Sequence, residues 1–221
     1  MKKLLIWLPG MLSMLAACTE AVEIPARAPE KQSPVRVELH LTTEQQAATR
    51  AMDENCIRDV NLYLYGDTEY HFYFPSVSSP LVFNVLPGNY RSYAIANAGQ
   101  DLGDKNAFKI QFYETAVDVM ESSDAIPMTD RGTLAVDGAG RCTPSSLRVT
   151  RSAAKIAYTI EVADAVAPSL RLRSVQFCNL PLTIRPFDSG SISSTVEANY
   201  YDGEAMPVGN ERRTAGTAYL F

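Results

Sequence analysis

The chain has 221 residues, of which 46% are hydrophobic and 20% charged, the balance of a globular protein with a core of its own. A formal net charge of −5, with no basic stripe anywhere, argues against a nucleic-acid partner.

Met1-Lys2-Lys3 is a basic start, and Leu4 to Leu15 is an apolar run too short to cross a bilayer comfortably. Small residues follow in Leu15-Ala16-Ala17-Cys18, and no stop-transfer pattern comes after them, so residues 1–18 read as a secretory leader. Leu-Ala-Ala-Cys resembles a bacterial lipoprotein box. That resemblance implies cleavage before Cys18, fatty acylation of its thiol (palmitate among the acyl groups) and attachment to the outer membrane. One acyl chain holds weakly and several hold firmly, so a multiply acylated cysteine is an adequate anchor. Residues 19–34 carry Pro25 and Pro29 with no periodicity and read as a flexible tether.

If Cys18 carries lipid, Cys56, Cys142 and Cys178 remain, an odd number for an oxidising compartment. Cys56 with Cys142 is the first pairing to test, although sequence does not fix connectivity. The spacings match no zinc pattern.

Val35 to Leu41 alternates at every step, which predicts a half-buried strand with Val35, Val37, Leu39 and Leu41 on one face. Residues 42–55 lose the alternation and read as an exposed polar loop with Arg50 in its middle. Further strands are expected over Ile57–Tyr65, Tyr70–Phe74, Leu81–Val85 and Arg91–Asn97, with a turn at Leu86-Pro87-Gly88-Asn89-Tyr90. Asp101 to Val119 is the one stretch compatible with a short helix. Ile126–Thr129, Gly132–Val136, Ser146–Val149 and Ala153–Val162 complete a run of short strands punctuated by Gly and Pro. Such a run predicts an all-β, antiparallel sandwich over residues 35–162. Residues 163–168 read as a linker. Residues 168–221, with strand-like segments at Leu170–Cys178, Leu182–Ile184 and Ala218–Phe221, are expected to begin a second, incomplete β-sandwich domain.

The order of these segments is similar to a fimbrillin of the Bacteroides and Porphyromonas group. The residues that carry the likeness are the lipoprotein box, the early strand and Arg-containing loop, and Val60-Asn61-Leu62-Tyr63-Leu64-Tyr65. So do Leu86-Pro87-Gly88-Asn89-Tyr90 followed by Tyr93-Ala94-Ile95-Ala96-Asn97, then Arg151-Ser152-Ala153-Ala154-Lys155-Ile156, and Tyr219-Leu220-Phe221. The resemblance implies transthyretin-like sandwich domains, export as a lipoprotein and assembly into a type V pilus. It implies that an arginine-specific protease cuts after the first strand, and that a strand from the next pilin subunit fills the vacancy. By position Arg50 matches the cut site, with Arg58 and Arg36 as runners-up, and Val35, Val37, Leu39 and Leu41 belong to the exchanged strand. A strand with one apolar face followed by an accessible polar loop is expected to be removable without cutting the core. Strand addition would then repair the exposed backbone and apolar floor.

Enzyme chemistry has little support. His40 and His71 both fall inside strand-like runs, and no Gly-x-Ser-x-Gly elbow or glycine-rich phosphate loop occurs. Asp101, Asp104 and Asn106 are oxygen ligands without the spacing of a calcium loop. No metal or other cofactor is expected. The alternative to a pilus subunit is a monomeric surface lipoprotein that binds a glycan or another ligand through its sandwich loops.

Overall fold

In a computed structural model, residues 32–43, 56–116, 125–164, 169–188 and 200–220 are described. Apolar alternation builds the first sheet. Its strands are β1 (Val35–Thr43), β2 (Val60–Tyr65), β3 (Glu69–Phe74), β4 (Leu81–Val85), β5 (Gly88–Ala96), β7 (Met128–Val136), β8 (Cys142–Thr143) and β9 (Ser146–Arg151). Between them lie a short helix α1 (Ala107–Gln111) and β6 (Thr115–Ala116). The strands follow one path, β3-β2-β5-β7-β9-β1-β4, with β8 added on β7. The path curls until its two end strands face each other. Phe72 of β3 lies 4.9 Å from Phe83 of β4, ring centre to ring centre. An all-β, sandwich-like barrel is the result.

Inside the curl, one cluster gathers Val37 and Leu39 from β1, Leu62 and Leu64 from β2, and Leu81 and Phe83 from β4, with Leu134, Leu147 and Val149 beyond them. Fully burying side chains of this size stabilises by about 1.5–3 kcal/mol each. β2 is buried on both faces. Its outer face meets a second cluster in which Tyr63, Tyr65, Tyr93 and Ile95 are covered by Ile110 of α1 and by Phe187.

Four segments differ from expectation, each for a physical reason. The strand foreseen from Ile57 begins only at Val60. Residues before it are tied by side chains instead: Arg58 N–H donates to Asn97 Oδ1, and the Asp59 carboxylate accepts from Ala98 and Gly99 N–H. The turn foreseen at Leu86–Tyr90 shortens, because Gly88–Ala96 is already strand and pairs residue by residue with β7. That ladder also carries β7 straight through Gly132, opposite Ser92, joining two segments expected to be separate. The helix is confined to Ala107–Gln111, started by Asn106 Oδ1 accepting from Lys109 N–H.

Direction also differs in one place. All pairs in the sheet are antiparallel except β1 with β9, which run parallel over His40–Thr43 and Ser146–Val149. Parallel partners need a long connection, and more than a hundred residues separate these two by the contact of Thr42 with the Leu147 carbonyl.

The remaining strands are β10 (Ala154–Glu161), β11 (Leu172–Val175), β12 (Leu180–Pro181), β13 (Thr183–Ile184), β14 (Tyr200–Tyr201), β15 (Met206–Glu211) and β16 (Arg213–Leu220). β10, read above as the last strand of the first run, pairs with β16, and β11 pairs with β15. Tyr158 of β10 sits edge-on to Phe177 at 5.6 Å and joins the two ribbons. β13 pairs with β6, and the Arg131 guanidinium donates to the Phe187 carbonyl at 2.7 Å, so residues 183–187 are fastened to the first sheet. Among the described residues no helix is long and apolar enough to cross a membrane.

Candidate functional site

β1 keeps the alternation read from its sequence: Val37 and Leu39 are fully buried, while Arg36, Glu38 and His40 face outward. Its two halves have different neighbours. Val35–Leu39 pairs antiparallel with β4, and His40–Thr43 pairs parallel with β9. The strand is therefore seated between two others. Val37 and Leu39 belong to the main cluster, so removal of the strand would open it.

A turn between β7 and β8 lies along the side of β1 that β4 leaves uncovered. Asp137 builds that turn. Its carboxylate accepts from Ala139 N–H and Arg141 N–H, each at 2.9 Å, and from Arg141 Nε at 2.7 Å. These donors hold the Asp137 carboxyl below the ordinary carboxylate value, Arg141 N–H contributing most. Gly140 follows with φ +79°, and a Cβ there would run into the Arg36 carbonyl. Two residues on, the Cys142 thiol donates to the Glu38 carbonyl at 3.3 Å. His40 N–H then donates to the Ser145 carbonyl at 3.0 Å, just before the β9 ladder begins. A cleft of about 410 Å³ opens between the outward side chains of Arg36, Glu38 and His40 and this turn.

The other residues singled out from the sequence fall as follows. Cys18 and Arg50 lie outside the described residues. Arg36 is in β1, with its guanidinium 3.3 Å from Glu38 Oε1 and largely exposed. Arg58 precedes β2 and is exposed. Cys56, Cys142 and Cys178 are all free thiols, so the Cys56–Cys142 bridge is not made. Each has a separate environment: the Cys56 carbonyl accepts from Asn97 Nδ2, whereas Cys142 lies against β1, where burial pushes its thiol pKa up. His40 Nδ1 is 3.4 Å from Ser79 Oγ.

Asp101, Asp104 and Asn106 do not form a cation cage. Asp101 Oδ1 accepts from Gly103 N–H, and Asn106 Oδ1 is engaged in capping α1. Among the described residues no group of three or more His, Cys, Asp or Glu side chains is placed to hold a metal ion. The two aspartates instead flank His71, at 3.6 Å from its Nε2 and its Nδ1 respectively. The imidazole stacks on Tyr63 at 4.3 Å and hydrogen-bonds Asn61 Oδ1. A second cleft of about 430 Å³ adjoins it, edged by Glu69, Asp104, Lys105 and Lys109.

The loop that carries these aspartates is zipped onto β2. Asp59 holds Ala98 and Gly99, and Asn61 holds the Gln100 carbonyl and Leu102 N–H. Tyr63 and Tyr65 hydroxyls donate to the Gly103 and Lys105 carbonyls. Burial is the main cause that raises the Asp59 pKa and pushes both phenols well above their usual range. Sequence reasoning missed this zipper and the Asp137–Cys142 turn. A usable signal existed for each: polar groups at every second position of an otherwise apolar strand, and Asp-Gly-Ala-Gly between two strands.

No protein-family model matches the chain, and no curated protein matches it in sequence. Solved structures do share its fold. A candidate cell adhesion protein from Bacteroides eggerthii superposes with TM-score 0.55 at 14% identity, over 88% of this chain and 71% of its own. A fimbrilin from Porphyromonas gingivalis gives TM-score 0.54 at 13% identity, over 84% and 65%. A fimbrial assembly protein from Parabacteroides distasonis gives 0.50 at 13% identity, over 86% and 76%.

Proposed function

We propose that the chain is a fimbrillin-type surface protein, a subunit or associated adhesin of a pilus, exported as a lipoprotein through Cys18 and held at the outer membrane until assembly. Its activity is structural rather than enzymatic. The observation that carries this reading is the seating of β1. One segment near the start of the chain supplies Val37 and Leu39 to the core and is enclosed by β4 and β9. The connection that follows it contains Arg50. Cleavage there by an arginine-specific protease would free β1, leaving unpaired backbone on β4 and β9 above an apolar floor. A strand from another pilin subunit, apolar at every second residue, repairs both defects. Because β1 is paired on two sides, the incoming strand must restore both ladders, and only a strand of similar length does so. The shared fold with the fimbrilin and the fimbrial assembly protein supports the reading.

The test is digestion of the purified precursor with an arginine-specific protease, followed by sequencing of the new N-terminus and gel analysis of oligomers. A cut at Arg50 with ladders resistant to SDS is the expected result. A chain that stays whole and monomeric overturns the assembly mechanism. It would favour a monomeric lipoprotein that binds a glycan or another polar ligand, for which the cleft beside His71, lined by both carboxylates and ammonium groups, is the place to look.

A further inference from the structure

We infer that the turn from Asp137 to Cys142 is a third wall of the groove that holds β1, gripping the strand by its backbone where neither β4 nor β9 reaches. The inference deepens the strand-exchange reading and rests on it only for the incoming strand; for β1 itself it stands alone.

Val35–Leu39 directs one edge to β4, and the carbonyls of Arg36 and Glu38 are met by the turn. An edge of this kind ordinarily needs a partner strand or cover. The turn provides cover without a ladder. Gly140 brings its Cα against the Arg36 carbonyl, an approach that no other residue permits, both because a Cβ would collide there and because φ is +79°. The Cys142 thiol then donates a hydrogen bond to the Glu38 carbonyl. Asp137 fixes the whole by accepting three hydrogen bonds from the turn itself. From Gly140 to Val149 the chain thus follows β1 along its length, first by close approach and a thiol, then by main-chain bonds.

Both contacts read backbone carbonyls and not side chains. The wall therefore accepts any extended strand with suitable inward residues, which is the kind of partner the groove would take from a second subunit: apolar inward, free carbonyls toward the turn.

The experiment uses the full, uncut chain. Hydrogen exchange of the amides of residues 35–40 and alkylation of Cys142 by iodoacetamide are compared in wild type, Gly140→Ala and Asp137→Ala. Both variants are expected to exchange these amides about tenfold faster or more, with amides of β2 and β5 unchanged, as a local opening requires. Cys142 alkylation should quicken in parallel. If Gly140→Ala does not fold, Asp137→Ala decides, since it adds no atom near Arg36. Exchange and alkylation equal to wild type in Asp137→Ala overturn the inference, as does a rise spread evenly over β2, β5 and β7. Neither readout needs a protease. A wall that loosens as expected in a chain that no protease cuts would retire the assembly mechanism and keep the wall.

Discussion

Phe72 and Phe83 sit on the two end strands of a single sheet path, yet their rings meet at 4.9 Å with planes 35° apart. This contact closes the curl over the side chains of β1. Phe83 is 5% exposed, whereas Phe72 is half-buried. Phe83→Ala should therefore destabilise by about 3–5 kcal/mol and Phe72→Ala by less, read from urea midpoints at constant slope. Equal losses would mean that the rings do not divide the closure in this way.

Asn97 ends the strand that includes Ala94, Ile95 and Ala96, and it occupies φ +61° with no exposure. Its amide donates to the Cys56 and Ile126 carbonyls and its oxygen accepts from Arg58 N–H. Asn97→Gly keeps the backbone geometry and loses all three bonds; Asn97→Ala loses the geometry as well. At about 1–3 kcal/mol for each buried group left unpaired, both variants should be severely destabilised, with Ala the worse. Thermal unfolding that ranks Gly below Ala would contradict this account.

Tyr63 and Tyr65 lend the loop at 103–105 a pH response. Burial raises both phenol pKa values in the folded state above the ordinary value of 10.0. A raised pKa means that the folded form holds its proton more tightly. The stabilisation is thus complete below the unfolded value and lost as pH rises past it. Tyr63→Phe should cost about 1 kcal/mol at neutral pH and reduce the alkaline loss of stability, measured by urea unfolding at pH 8 and above. An alkaline limb as steep as wild type would assign that loss elsewhere.

Asp137 responds in the opposite direction. Its carboxyl is held below the ordinary carboxylate value of 3.8, so what it contributes is present above that value and disappears as pH falls through the lower folded one. An NMR titration of the Arg141 amide should show a midpoint below 3.8, with the Ala139 amide following it. A midpoint at or above 3.8 would mean that the turn does not depend on the charge.

The alternation of Val35, Val37, Leu39 and Leu41 dictated which face of β1 is buried, and the Gly and Pro punctuation dictated an all-β chain. Both are local information, carried by a two-residue period and by backbone restriction at single positions. The partners of each strand are another matter. Main-chain donors and acceptors are alike at every residue, so nothing within Val35–Thr43 specifies β4 on one side of its first half and β9, running parallel, on one side of its second. Ala154–Glu161 forms the strand its sequence implied, yet it pairs with Arg213–Leu220 rather than with the sheet that precedes it in the chain. The same holds for the contact of Gly140 with Arg36 and the recruitment of Phe187 over Tyr93, each joining residues far apart in the chain. Sequence settled which surfaces had to be covered; only the closing of the sheet settled what covers them, because that choice rests on packing between segments that no local pattern records.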